Sequence, residues 1–164
     1  DVYKRQSVAF SPDSKVVAAG DGNGRAYLWN VATGKPAATL ADPGSKGVNS
    51  VAFSPDGKIV AAGDGNGRAY LWNVATGKAV ATLADPGSSG VISVAFSPDG
   101  TTMAAGDNNG RTYLWNAATG KPVTTLGELS NVEINSVVFS ADGKELATGD
   151  QNGSVFLWYA NLPA

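Results

Sequence analysis

Apolar and polar residues alternate along this chain in short runs, each broken by Gly, Pro, Asn or Asp. In the stretch from 49 to 87 the pattern is plain. Residues 49–53 (Asn-Ser-Val-Ala-Phe) read as a strand, and Ser54-Pro55-Asp56-Gly57 as a type I turn, with Pro at its second position and Gly at its fourth. Residues 59–63 form the next strand. Asp64-Gly65-Asn66-Gly67 follows, and its Asn-Gly pair predicts a tight hairpin because both residues tolerate a positive φ. A third strand covers 68–73, a turn 75–78, and a fourth strand 79–83, after which Asp85-Pro86-Gly87 opens a longer exit loop. No segment keeps a helical period over two turns, so the chain is expected to be all-β.

The unit repeats. Phe-Ser-x-Asp recurs at Phe10, Phe53, Phe96 and Phe139, and Leu-Trp at Trp29, Trp72, Trp115 and Trp158, all at intervals of 43 residues. Without gaps, 7–49 matches 50–92 at 37 of 43 positions, and 50–92 matches 93–135 at 26. A period held without insertions makes each copy the same structural unit. Four antiparallel strands in a unit of this length form the blade of a β-propeller. The expected blades are 7–41, 48–84, 91–127 and 134–159, the last with three strands, giving a partial, open propeller.

These residues carry a family resemblance. Asn-Gly-Arg-Ala-Tyr-Leu-Trp-Asn at 66–73 resembles the Asp-Gly-x-x-x-x-Trp-Asp signature of WD40 propellers, and Val-Ala-Phe-Ser-Pro-Asp-Gly at 51–57 resembles their first strand and its turn. The resemblance covers 7–159. TolB-like propellers share Phe-Ser-Pro-Asp-Gly but usually lack Leu-Trp at this distance, and are the second choice. The chain also departs from the WD40 pattern. The Gly-His pair before the first strand is absent, the turn Asp is Asn23, Asn66, Asn109 or Asn152, and the residue after Trp is Asn30, Asn73, Asn116 or Tyr159. The family's buried His–Ser–Asp–Trp network cannot form in full, and apolar packing between blades is expected to replace it. The high mutual identity of the copies looks like bacterial repeat amplification. The resemblance implies a longer regulatory protein of which this chain is the C-terminal part of the propeller.

The two ends add to that expectation. Residues 1–6 (Asp-Val-Tyr-Lys-Arg-Gln) break the repeat, which starts abruptly at Ser7. One back-translation of them reads like an adapter used in DNA library preparation, so 1–6 are read as a non-native leader. At the other end the last copy lacks a fourth strand.

Composition narrows the chemistry. Twelve Lys and Arg against fourteen Asp and Glu leave a net charge of −2, and the basic residues are scattered singly, which argues against nucleic acid. No apolar run approaches the roughly 18 residues of a membrane span, so no membrane insertion is expected. There is no cysteine and no histidine, which removes the thiol nucleophile, the Cys-based zinc site and the commonest general base. No cofactor and no metal are expected. The compartment is left open, with the cytoplasm slightly favoured.

Several segments imitate catalytic motifs. Gly20-Asp21-Gly22-Asn23-Gly24 is glycine-rich, but a nucleotide loop must open a helix, and here Tyr27-Leu28-Trp29 continues as a strand. The same segment resembles the start of a calcium loop but lacks the later acidic ligand. Thr33-Gly34-Lys35 is followed by Pro36 where a P-loop needs Ser or Thr, and Ser54–Gly57 is followed by Lys58 where an Asp-box needs Gly. Asp21, Asp64, Asp107 and Asp150 recur at the second hairpin, each four residues before Arg25, Arg68, Arg111 or Ser154. They are read as a repeated local ion pair at or near the surface, or as a polar rim for a partner.

In WD40 propellers the second hairpin and the loop after the fourth strand share the narrow face, where partners dock. The corresponding candidates are Arg25, Arg68, Arg111, Asp42, Lys46, Asn49, Asp85 and Ile92. Glu128, Leu129 and Glu133 join them in the one loop that departs from the repeat. The expected function is a protein-interaction scaffold and not an enzyme. Its partners would be a protein on the narrow face, and the missing blades of a parent ring or a second copy of the chain. The alternative is a ligand-binding or hydrolytic propeller that uses the carboxylates of that face.

Overall fold

The structure, a computed structural model, describes residues 7–41, 46–84, 87–127 and 131–159. The expected leader at 1–6 lies outside them. The described residues form fifteen strands in four antiparallel sheets and no helix. The first sheet holds β1 (Val8–Phe10), β2 (Val16–Gly20), β3 (Arg25–Asn30) and β4 (Pro36–Ala41). The second holds β5 (Val48–Phe53), β6 (Ile59–Asp64), β7 (Arg68–Asn73) and β8 (Ala79–Ala84). The third holds β9 (Val91–Phe96), β10 (Thr102–Asp107), β11 (Arg111–Asn116) and β12 (Pro122–Gly127). The fourth holds β13 (Ile134–Phe139), β14 (Glu145–Asp150) and β15 (Val155–Tyr159). Each sheet is a meander in chain order, and consecutive sheets pack through their first strands, β1 on β5, β5 on β9 and β9 on β13. The result is an open arc of four blades, a partial β-propeller.

Strand alternation explains the stacking. An inner sheet is covered on both faces, and successive side chains point to opposite ones. In the second blade Val60, Ala62, Tyr70 and Trp72 pack on Ala18, Ala26, Leu28 and Leu40 of the first. Between them, Ala61, Ala69, Leu71 and Leu83 pack on Val91, Val94, Met103, Tyr113 and Trp115 of the third. The third seam joins Ala104 and Leu114 to Ile134, Val137, Phe139 and Leu146. One face of each blade is thus aromatic and the other is built from Ala and Leu. Trp72, Trp115 and Trp158 sit in the seams, as expected from the sequence, and Trp29 lies half-buried on the outer face of the first blade.

The turns follow the sequence, with one correction. Gly57 lies at φ 70° and donates to the Ser54 carbonyl at 2.9 Å, closing the predicted turn. Ser54 Oγ donates to Asp56 Oδ1 at 2.7 Å and accepts from the Ile59 amide at 3.0 Å. The Asn-Gly hairpin differs from the expectation. Only Gly67, at φ 82°, is left-handed, and Asn66 is not. The loop is a three-residue turn with its glycine in the left-handed position, because the Asp64 carboxylate holds the Asn66 and Arg68 amides in that geometry.

Candidate interaction surface

One face of the arc carries the second hairpins, at 21–25, 64–68, 107–111 and 150–154, together with the connections between blades. Its groundwork is the repeated aspartate. Asp64 Oδ1 accepts the amides of Asn66 at 3.0 Å and Arg68 at 2.9 Å, and Oδ2 accepts the Tyr70 hydroxyl at 3.3 Å. Asp107 repeats this with Asn109, Arg111 and Tyr113 at 2.9, 2.8 and 3.1 Å. Both carboxylates are fully buried. This corrects the reading of a local ion pair at or near the surface: Arg68 and Arg111 serve the carboxylate through their backbone amides, and Asp64 and Asp107 lie beneath the rim. At Asp21, in the first blade, burial pushes the pKa up. The Arg25 and Asn23 amides and the Tyr27 hydroxyl outweigh it, and the net shift is downward. In the last blade Phe156 replaces Tyr, and Trp158 Nε1 donates instead to Thr148 Oγ1 at 3.0 Å.

The connections lie on these hairpins. The Val48 amide donates to the Asp21 carbonyl at 2.8 Å, and the Gly65 amide donates to the Lys46 and Gly47 carbonyls at 3.1 and 3.0 Å. Asn108 donates to the Gly90 carbonyl at 3.0 Å and Gln151 to the Glu133 carbonyl at 2.9 Å. Asn109 Nδ2 reaches the Gly87 carbonyl at 2.8 Å. The approach is close enough that a Cβ on Gly67 would stand 2.5 Å from the Ser88 carbonyl oxygen. Hairpin and connection therefore form one hydrogen-bonded rim.

The expected residues fall into three groups. Arg25, Arg68 and Arg111 are exposed at the first position of β3, β7 and β11, and Lys46 is exposed beside them. Glu133 is half-buried and serves the rim through its carbonyl. Asn49 and Ile92 belong to the inner edge instead. Each is the extra residue of a β-bulge, between Val48 and Ser50 on β5 and between Val91 and Ser93 on β9. Asn49 Nδ2 donates to the Val91 carbonyl at 2.9 Å, so its amide ties two blades together. Asp42, Asp85, Glu128 and Leu129 lie outside the described residues.

Sequence reasoning missed a row of serines on the inner strands. Ser7 Oγ accepts the Val51 amide at 3.0 Å, Ser50 the Val94 amide at 3.1 Å, and Ser93 the Val137 amide at 3.1 Å. Each bond crosses a seam. The signal was present as a serine at 7, 50, 93 and 136, at the 43-residue period.

A family model described as Nucleolar protein 10-like, N-terminal domain, a β-propeller, matches residues 4–160. No curated protein matches the chain in sequence. Among solved structures, the chain is similar to a computationally designed protein, Ika4, with a TM-score of 0.80 and 25% identity over 93% of this chain and 89% of that one.

Proposed function

The chain belongs to the nucleolar protein 10-like, N-terminal domain family of β-propellers, and on that premise we propose that it is a protein-interaction scaffold of the WD40 kind and not an enzyme. The observation that carries the proposal is the rim. Its connections are hydrogen-bonded to its hairpins, and it holds Arg25, Arg68 and Arg111 exposed at one register in three successive blades. A row of exposed arginines at one register suits a partner segment with carboxylates or free carbonyls, because arginine offers several donors in a fixed plane. The repeated aspartates favour binding over hydrolysis. Asp64 and Asp107 are buried, and their oxygens already accept amides and a phenol, so neither is placed as a base for a substrate on the rim.

The test is retention of partner proteins by the immobilised chain. The variant Arg25→Glu/Arg68→Glu/Arg111→Glu is expected to lose them. Lys15→Glu/Lys58→Glu/Lys144→Glu, on the turns at the opposite face, is expected to keep them. Equal retention by both variants would overturn the rim as the binding face.

A further inference from the structure

The two terminal faces of the arc are the two halves of a seam. At each internal seam a glycine of one blade receives the first strand of the next. A Cβ on Gly20 would collide with Val48, one on Gly63 with Val91 and Val94, and one on Gly106 would stand 2.5 Å from Ile134 Cγ2 and 3.1 Å from Val137 Cγ1. Gly149 holds the same place in the last blade and has nothing within 4 Å. The hydrogen bond of the seam is likewise repeated on one side only. Ser7, Ser50 and Ser93 each accept the amide of a valine in the next blade. Ser136 continues the row and accepts no amide from a described residue.

The first blade presents the other half. Val8 is the counterpart of Val51, Val94 and Val137, the valines that those serines hold. It is 72% exposed, and Phe10 beside it is 64% exposed. On the last blade Val138 and Leu157, counterparts of the buried Ala and Leu side of a seam, are 56% and 64% exposed. The described strands that would meet carry one charged side chain on these faces, Glu145, which lines the terminal face with Val138, Ala147 and Leu157 at the place of Ile59 in the second blade.

We infer that two copies of this chain associate head to tail, with the first strand of each lying against the last blade of the other and Val8 beside Ser136 and Gly149, and close into a ring of eight blades. Side-chain size selects a second copy over other blades of the same kind. At the internal seams Gly57, Gly100 and Gly143 face Pro12, Pro55 and Pro98, with the glycine Cβ position 3.5 Å from the ring in each case. The counterpart on the first blade is Ser14, a non-glycine residue at φ 59°, and the counterpart on the last blade is Ala141. The side chain gained on one half matches the ring lost on the other. The Ser14 and Ala141 departures compensate each other when the last blade meets the first. A head-to-tail contact of this kind forms a closed ring when its rotation closes and an open filament when it does not.

The experiment is the solution mass of the full chain, by light scattering across a range of concentrations, with circular dichroism to follow folding. Twice the chain mass is expected. Gly149→Leu and Val8→Glu are each expected to give the mass of one chain, with the β spectrum unchanged. Because the chain has no cysteine, Val8→Cys/Gly149→Cys should give a covalent dimer on oxidation, since at two internal seams Cγ1 of the matching valine, Val94 or Val137, stands 3.1 Å from the Cβ position of Gly63 or Gly106. A monomeric wild-type chain would overturn the inference. So would a dimer indifferent to Gly149→Leu, which would place the contact elsewhere, and so would a ladder of larger species, which would mean that the contact does not close.

Discussion

Gly106 and Gly149 stand at the same position of adjacent blades, and a methyl group would mean opposite things at each. At Gly106 it would press on Ile134 and Val137, and at Gly149 it would meet open space. The backbone, the pairing and the neighbouring residues are nearly the same, and only the presence of a following blade differs. The comparison shows that a seam is a property of two blades and that a single blade does not contain it. In a repeat protein, stability is approximately the sum of the unit and its interfaces. The terminal faces of this arc carry an interface surface that the arc itself leaves unpaired.

Three measurements would sharpen or break that comparison, each made at a concentration low enough to keep copies apart. The largest difference should be at tryptophan. Trp72 is buried in the first seam, and Trp72→Ala should cost about 3–5 kcal/mol in chemical denaturation. Trp29 occupies the same position on the exposed face of the first blade and is only half-buried, so Trp29→Ala should cost clearly less. Equal losses would mean that the terminal face is covered in the single chain. Next comes the glycine pair. Gly106→Ala overpacks a filled seam and should cost about 1–3 kcal/mol, whereas Gly149→Ala should shift the denaturation midpoint little.

The smallest effect belongs to the Ser-x-Asp turns, where the bond from serine to aspartate lies within one blade. The hydroxyl of Ser54 beside Asp56, then the Lys58 amide, hold that carboxyl below its ordinary value of 3.8. A folded pKa below the unfolded one stabilises the fold above pH 3.8 and loses that contribution as pH falls through the folded value. Ser54→Ala should move the Asp56 titration, followed by NMR, back upward and weaken this acid dependence. An unmoved titration would show that the hydroxyl is not the cause. The same relation holds at Asp13, Asp99 and Asp142, so the effect should repeat in every blade, terminal or not.

The strands were legible because each is short, alternating and closed by turn residues, and the 43-residue period placed all four copies in one register. The rim was legible in part. Arg25, Arg68 and Arg111 lie where the hairpin reading put them, since the loop length is fixed by sequence. The aspartates did not make the ion pair read for them, because a carboxylate four residues before an arginine looks like an ion pair in one dimension. In three dimensions the nearer partners are the amides of the turn. Asn49 and Ile92 escaped for a related reason. A bulge is a mismatch between two strands, and one strand alone does not display it.

What the chain determines by itself is local: where strands start and stop, which turns they make, and that the same unit comes four times. These follow from φ preferences and from alternation over a few residues. What only the tertiary structure decided is what each face of a blade is for. Gly106 and Gly149 are the same letter in the same motif, yet one is filled and the other open, because a seam requires a surface from elsewhere in the chain or from another one.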